Sequence, residues 1–269
     1  MYESFFGLNE APFNMTPDPR FVYFSRHHQA ALSAMQYGIE SRRGFLQITG
    51  EIGAGKTTLV RMLLSKLGPN TRTSLVFNPK LSEFEILQVI VEDFGIKPAG
   101  KKRKDYFDAL NHFLIAEIEK GSNAVVIIDE AQLLSPKALE QIRLISNLET
   151  TTKKLLQIIL VGQPELKDLL NRKDLVQLKQ RIAIRYHLPE LDAADIQYYI
   201  EHRLKVAGAD SNFFTEDAMG LIYELSAGIP RIINVLSDRA MIAAFTRNSV
   251  VVDSSMVECA QADLEGVSA

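Results

Sequence analysis

A glycine-rich segment at residues 50–58 has the composition and spacing of a phosphate-binding loop. Its pattern is glycine, four residues, glycine, and then Lys56 and Thr57. Glycines let the backbone wrap closely enough for successive N–H groups to point at phosphate oxygens. Lys56 supplies positive charge for β- and γ-phosphates, and Thr57 a hydroxyl for Mg²⁺. The residues expected to contact ATP here are Gly50, Glu51, Ile52, Gly53, Ala54, Gly55, Lys56, Thr57 and Thr58.

Two adjacent acids, Asp129 and Glu130, end an apolar run that begins at Ala124. A strand buried on both faces is apolar throughout, and its end places carboxylates at a sheet edge that water and metal can reach. We expect Asp129 to hold Mg²⁺, directly or through a water, and Glu130 to polarise the attacking water. Strands often end in solvated acids that have no function. The glycine-rich loop on the same chain is what favours catalysis here.

Short apolar runs alternate with amphipathic segments up to about residue 190, which predicts a parallel, three-layered α/β sheet. The expected strands are residues 45–49, 74–77, 124–129, 155–161 and 184–188. The expected helices are residues 28–40, 56–67, 82–94 and 106–118, and one that opens at Ser135-Pro136. The glycine-rich loop follows the first strand and opens a helix, which is the context that a phosphate-binding loop requires.

The chain changes character at both ends. Prolines before residue 25 deny regular helix, and the aromatic residues among them indicate an ordered arm. After Pro189 the pattern is helical, at residues 192–206, 215–226 and 230–245, with a short β-like run at 250–252 before a last helix. We therefore expect an N-terminal arm (1–27), an α/β core (28–190) and a small helical lid domain (191–269).

Composition and charge give no support for a nucleic-acid-binding, disulfide-linked, membrane-spanning or secreted protein. A net charge of -3 gives no global reason to expect a nucleic-acid partner. A single cysteine, Cys259, rules out an internal disulfide and favours a reducing compartment. No apolar run reaches the roughly 18 residues that span a bilayer, and the N-terminus has no secretory pattern. We expect a cytoplasmic protein.

Together these motifs resemble the AAA+ ATPases, and the resemblance covers nearly the whole chain. Its marks are the glycine-rich loop, Asp129-Glu130, a later Gln-Arg pair and Gly228-Ile229-Pro230-Arg231. Other segments resemble the ATPase part of the general-secretion-pathway A (ExeA-like) proteins. These segments are Pro12-Phe13, Asp18-Pro19-Arg20-Phe21, Ile128-Asp129-Glu130-Ala131-Gln132, Gly162-Gln163-Pro164-Glu165-Leu166 and Arg185-Tyr186-His187-Leu188. The resemblance implies a P-loop NTPase core of the AAA+ type with a helical lid.

The resemblance also implies roles for residues outside the two main motifs. Pro12 and Phe13 match the N-terminal region that packs against adenine in AAA+ proteins, the alternative being a structural arm without ligand contact. Gln163 matches the polar sensor-1 position, where many AAA+ proteins have Asn or Thr. Arg231 matches sensor 2, in which a proline at the start of a lid helix directs the arginine toward the nucleotide.

An arginine finger is expected before the last core strand. Arg181 stands where the family places it, and Arg185 is the rival candidate. A guanidinium can spread over the γ-phosphate charge of a neighbouring subunit. The finger implies a homo-oligomer with ATP bound between subunits.

The resemblance predicts an ATPase that energises or regulates a secretion, pilus or polysaccharide-export assembly at the inner membrane. Secretion members of the family continue into a transmembrane helix and a peptidoglycan-binding region, so this sequence is expected to be a short relative or a truncated one.

Two alternatives stay open. One is a DNA-associated AAA+ ATPase, such as a transposition regulator or a replication-initiator-like protein, which the basic residues within 97–104 would suit. The other is an ATP-dependent switch with little turnover, against which Glu130 argues. We expect no specific nucleic-acid binding.

Overall fold

The computed structural model describes residues 2–16, 18–77, 79–149 and 154–266. The chain divides into two compact units. The sheet unit consists of His28–Gly50 and Leu59–Leu188. The lid unit consists of Met1–His27, Glu51–Thr58 and Pro189–Ala269. The expected division into arm, core and lid domain stays a prediction.

The sheet unit contains five parallel strands, and this confirms the predicted sheet. They are β1 Phe45–Gly50, β2 Thr71–Val76, β3 Asn123–Ile128, β4 Leu156–Gly162 and β5 Ile182–Leu188. The strand order is β2-β3-β4-β1-β5, and every neighbouring pair is parallel. The central strands β1 and β4 are buried along their whole length, whereas the edge strands β2 and β5 alternate between more and less exposed positions. Because the first residues of β2 are polar and partly exposed, the apolar pattern predicted this strand three residues too late.

Twelve α-helices precede, join or follow the strands in the described part of the chain. They are α1 Tyr2–Phe5, α2 Arg26–Glu40, α3 Lys56–Lys66, α4 Glu83–Asp93, α5 Arg103–Glu119, α6 Pro136–Ile145, α7 Glu165–Leu170, α8 Val176–Arg181, α9 Ala193–Val206, α10 Glu216–Ser226, α11 Pro230–Thr246 and α12 Ser254–Glu265. The short helices α1, α7 and α8 have no counterpart among the predicted elements, since four to six residues span fewer than two turns and show little periodicity. Helix α1 also corrects the expectation that the arm has no regular helix, because it precedes the first proline, Pro12. None of the described helices is long and apolar enough to cross a membrane.

Side chains of three helices and the central strands fill the core of the sheet unit. Ile86 of α4, Leu110 of α5 and Leu139 of α6 are fully buried with Val126 of β3 and Ile158 of β4. Helix α4 begins with a capping box, in which Ser82 and Glu85 each accept a hydrogen bond from the other's backbone N–H. The helices therefore hold β3 and β4, which end beside the acidic residues.

Strand register fixes which strand ends lie together. Thr49 of β1 pairs with Gly162 of β4, and Ile128 of β3 pairs with Leu160 of β4. Since all strands are parallel, the carboxyl ends of β1, β3 and β4 meet at one edge of the sheet. Gly50 ends β1 at the same edge of the sheet at which Asp129 follows β3.

The lid unit has its own apolar core, which the N-terminal arm shares with the lid helices. Tyr2, Phe6 and Phe13 are buried with side chains of α9, α10, α11 and α12. The Asn9 backbone N–H donates to the Ala207 carbonyl at 2.8 Å. The β-like run after α11 forms one isolated parallel bridge, from Val252 to Phe214. The arm is therefore an ordered part of this unit's core.

Candidate active site

The glycine-rich loop lies in the lid unit and has the backbone of a phosphate cradle. Gly53 and Gly55 have φ values of +84° and +95°, which are left-handed conformations that favour glycine. The Ala54 N–H donates to the Glu51 carbonyl at 3.1 Å and closes the turn. Helix α3 begins at Lys56, directly after the second of these glycines. A helix N-terminus presents backbone N–H groups and a positive dipole, so the loop is built to bind an anion.

Lys56 is folded back over this loop. Its side chain is buried, and its Nζ donates to the Glu51 carbonyl at 2.8 Å. A lysine ammonium carries three N–H donors. The bond to the Glu51 carbonyl places this positive charge beside the cradle.

The start of α11 contacts the loop within the lid unit. The Arg231 N–H donates to the Gly53 carbonyl at 3.4 Å. A Cβ added to Gly53 would lie 2.6 Å from the Arg231 Cβ and 3.2 Å from the Ile229 Cγ2. The structure thus brings together the loop and the arginine that the resemblance assigned to sensor 2. Gly228, two residues before α11, must also be glycine, because a Cβ there would lie 2.0 Å from the Leu191 carbonyl oxygen.

Pro12 and Phe13 are buried in the lid unit, where Arg203 holds the backbone around them. Arg203 Nε donates to the Pro12 carbonyl at 2.7 Å, and its Nη2 to the Asn14 carbonyl at 3.0 Å. The Phe13 ring meets the Phe214 ring edge-on, with 5.9 Å between centroids. The adenine contact of Pro12 and Phe13 stays a prediction, and this packing supports the alternative of a structural arm. The sequence pattern did not single out Arg203, which lies among the apolar residues of α9.

Asp129 and Glu130 follow β3 in the sheet unit. Asp129 is buried, its N–H donates to the Val76 carbonyl at 2.9 Å, and its Oδ1 accepts from the Glu130 N–H at 2.9 Å. Glu130 has φ 52° and ψ 36°, a left-handed conformation that costs a residue with a Cβ about 1–2 kcal/mol. Such conformations cluster at functional sites. The turn ends the strand here and re-aims the carboxylate of Glu130.

Two glutamine amides surround that carboxylate. Glu130 Oε2 accepts from Gln132 Nε2 at 2.6 Å and from Gln163 Nε2 at 3.1 Å. The Gln163 N–H in turn donates to Gln132 Oε1 at 3.0 Å. The structure therefore places Gln163 beside the candidate base. Gln132 belongs to a motif quoted for the resemblance, yet its spacing alone did not single it out as functional.

Arg181 and Arg185 are both exposed in the sheet unit. Arg181 ends α8, directly before the first residue of β5, so it lies at the edge of the sheet opposite to Asp129. Arg143 lowers the pKa of Glu140 through a hydrogen bond, and the charge of Arg181 acts in the same direction. Arg185 lies within β5 and donates to the Lys179 carbonyl. The seven residues of β5 extend about 23 Å, which is too far for Arg181 to reach Glu130 of its own chain.

In the part of the chain that the structure describes, no group of three or more His, Cys, Asp or Glu side chains is placed so that it could hold a metal ion by itself. Mg²⁺ bound with a nucleotide typically uses one or two carboxylates together with phosphate oxygens and waters. The buried carboxylate of Asp129 and the hydroxyl of Thr57 are donors of the kind that this metal prefers. The residues present therefore fit Mg²⁺ brought by a nucleotide.

Comparison with known proteins relates the chain to one domain family and to one secretion protein. A family described as "AAA domain" matches residues 39–170. General secretion pathway protein A of Aeromonas hydrophila is 44% identical over 270 residues, which cover 99% of this chain and 49% of that protein. The chain thus spans about half the length of this relative.

Solved structures with a similar fold include several AAA+ proteins. The Aeropyrum pernix ORC2 protein, in ADPNP-ADP complexes, superposes with a TM-score of 0.69 at 18% identity. The superposition covers 97% of this chain and 73% of the ORC2 chain. The Cdc6p protein of Pyrobaculum aerophilum gives a TM-score of 0.70 at 18% identity over 94% of this chain and 70% of its own. The RuvB branch migration motor of Thermotoga maritima gives 0.59 at 17% identity, over 90% of this chain and 70% of its own. At these identities the likeness establishes the fold.

Proposed function

We propose that this chain is an AAA+ P-loop protein that binds Mg²⁺-ATP and hydrolyses it. The support from comparison is the AAA domain family matched by residues 39–170 and the 44% identity to General secretion pathway protein A over 99% of this chain. The observation that carries the proposal is the phosphate cradle. Its two left-handed glycines stand directly before the N-terminus of α3, and Lys56 lies folded against the loop. That combination presents backbone donors, a helix dipole and a mobile cation to a phosphate chain.

The residues divide the work of hydrolysis between binding and proton transfer. The loop N–H groups and Lys56 bind the β- and γ-phosphates, and Thr57 with Asp129 would hold Mg²⁺. When bound, Mg²⁺ neutralises charge that builds on the phosphate oxygens. Glu130 accepts a proton from the attacking water while the water oxygen bonds to the γ-phosphorus. The bond from that phosphorus to the ADP oxygen breaks, and Glu130 then releases its proton to solvent.

Two arginines are proposed to act on the transferred phosphate. Arg231 serves as sensor 2, supported by its backbone contact with the loop at Gly53. Arg181 serves as the arginine finger for the ATP of a neighbouring copy, supported by its exposure and by its position at the opposite sheet edge from Glu130. The active unit on this proposal is a homo-oligomer.

The biological role we propose is to energise or regulate a cell-envelope assembly of the secretion, pilus or polysaccharide-export kind. The support is the 44% identity to General secretion pathway protein A. The chain would act from the cytoplasmic face of the inner membrane, through partner proteins there. The likeness to ORC and RuvB structures carries the fold alone and does not favour a DNA-linked role.

The direct test is nucleotide binding and phosphate release by the purified chain and by Lys56→Ala. We expect the parent chain to bind Mg²⁺-ATP and to release phosphate, and Lys56→Ala to lose nucleotide binding while its thermal unfolding is unchanged. Lys66→Ala, an exposed lysine at the other end of α3, is the matched control and should bind as the parent does. ATP binding of unchanged affinity in Lys56→Ala would refute the assignment of the loop.

A further inference from the structure

Glu130 holds its carboxylate in an asymmetric environment. Both Gln132 Nε2 and Gln163 Nε2 donate to the same oxygen, Oε2. The described residues offer no hydrogen-bond donor to the other oxygen, Oε1. One oxygen is thus held by two amides, while its partner is available to accept a proton.

The orientation of the Gln132 amide follows from its partners. The Gln163 backbone N–H can only donate, so the atom of Gln132 that faces it must be the carbonyl oxygen Oε1. The NH₂ group of Gln132 is then directed at Glu130, whose carboxylate can only accept. The two contacts agree on one orientation of the amide, which settles the usual ambiguity between its oxygen and nitrogen.

The backbone makes room for this arrangement at two positions. A Cβ added to Gly162, the last residue of β4, would lie 2.6 Å from Gln132 Oε1 and 3.3 Å from the Gln132 backbone nitrogen. Any larger residue at position 162 would therefore displace the amide. The left-handed conformation of Glu130 is the second adjustment, because it turns the chain so that residues 130 and 132 face each other.

We propose that Gln132 is a positioning residue for hydrolysis. Together with Gln163 it holds Oε2 of Glu130, so that Oε1 faces the attacking water in a single orientation. The inference rests on the proposed function, since it assigns Glu130 the role of base. A carboxylate without this support rotates broadly about its last torsion angle, and only a fraction of its orientations can take the proton.

The test replaces Gln132 by methionine, which has a similar length but lacks both the amide donor and the amide oxygen. We expect Gln132→Met to lower kcat roughly 10- to 100-fold, the range that a misplaced catalytic group costs. KM for ATP, nucleotide affinity and thermal unfolding should stay unchanged. The matched control is Gln197→Met, because Gln197 also donates its amide to a glutamate, Glu201, at 2.8 Å, but on the exposed face of α9. It should leave kcat unchanged.

A double substitution separates positioning from a general structural effect. If Gln132 acts through Glu130, then Gln132→Met should cost nothing further in a Glu130→Gln background. The same fold-loss of kcat in both backgrounds would overturn the proposal. If Gln132→Met does not fold, Gln163→Met removes the other donor and is read by the same kcat-to-KM comparison.

Two other outcomes separate the positioning role of Gln132 from the proposed ATPase activity itself. A parent chain that turns over ATP and loses activity in Glu130→Gln, but keeps full kcat in Gln132→Met, would overturn the positioning role alone. A parent chain without ATP turnover, or a fully active Glu130→Gln variant, would overturn the proposed base and this inference together.

Discussion

The phosphate loop and the acidic cluster obtain their geometry in different ways. Left-handed glycines shape the loop in the lid unit, and apart from Lys56 its proposed contacts with phosphate are backbone N–H groups. The acidic cluster in the sheet unit is made mainly of side chains, and it joins the end of β3, the 3₁₀ turn Ala131–Leu133 and the end of β4. An added methyl group should therefore damage the loop, whereas a one-atom exchange of oxygen for nitrogen should damage the cluster.

The largest expected effect tests the side-chain half of this comparison. Glu130→Gln keeps the size and shape of the side chain but cannot take a proton from water. We expect ATP to bind with unchanged affinity and turnover to fall about 100-fold or more, the scale of lost general-base catalysis. Single-turnover phosphate release alongside a nucleotide-binding assay measures both quantities. Unchanged turnover would move the base to another residue.

The backbone half is tested by one methyl group in the loop. Gly53→Ala adds a Cβ at φ +84°, 2.6 Å from the Arg231 Cβ. The left-handed conformation alone costs about 1–2 kcal/mol, which corresponds to a roughly 10-fold weaker ATP affinity when only the bound loop shape is penalised. Titration with ATP measures the loss. Gly95→Ala is the matched control, because Gly95 also has a positive φ, +73°, and nothing lies within 4 Å of the added Cβ. This variant should bind ATP with the parent's affinity. Equal affinity in both variants would mean that the left-handed conformation of Gly53 does not shape the cradle.

A smaller effect tests whether Arg181 of one subunit acts on ATP bound in the loop of a neighbouring subunit. Arg181→Ala should bind ATP in its own loop yet hydrolyse it poorly, whereas Lys56→Ala keeps its arginine but has an empty loop. In an equal mixture, one interface in four pairs an intact loop with an intact finger, so about a quarter of the parent activity should return. The return should appear only at concentrations at which size measurements show association. Mixed oligomers without activity would exclude Arg181, and Arg185 would be tested next.

The smallest expected effect concerns the basic residues at the start of α5 and directly before it. Arg103 of this stretch is paired with Glu83 at 3.7 Å, and Asp105 accepts from the Lys102 N–H. We expect no specific DNA binding at physiological salt, and so no change when Lys101, Lys102, Arg103 and Lys104 are all replaced by glutamine. Fluorescence anisotropy over a salt series measures this. Sub-micromolar binding that disappears in the variant would favour the DNA-associated alternative over the secretion role.

Local sequence signals predicted much of the fold. The five apolar runs predicted the parallel sheet that the structure contains, because the apolar residues of a buried strand are consecutive in the sequence. Signals were weakest where an element is short or half exposed, as in α7, α8 and the start of β2. In those segments packing against neighbouring elements decides the structure, and periodicity carries little information.

The residues of the candidate site likewise fall into those that local sequence signals identify and those that only tertiary packing brings together. The sequence by itself determined the glycine-rich loop and the pair Asp129-Glu130, since a left-handed glycine turn and a buried strand end are both encoded within a few neighbouring residues. Only the tertiary structure decided that Gln163 and Gln132 converge on Glu130. Their contacts depend on the register of β3 against β4, and the two glutamines are separated by 31 positions in the chain. The same holds for Gly53 and Arg231, whose approach depends on how the lid helices pack around the loop, because no local spacing encodes a contact between residues that distant.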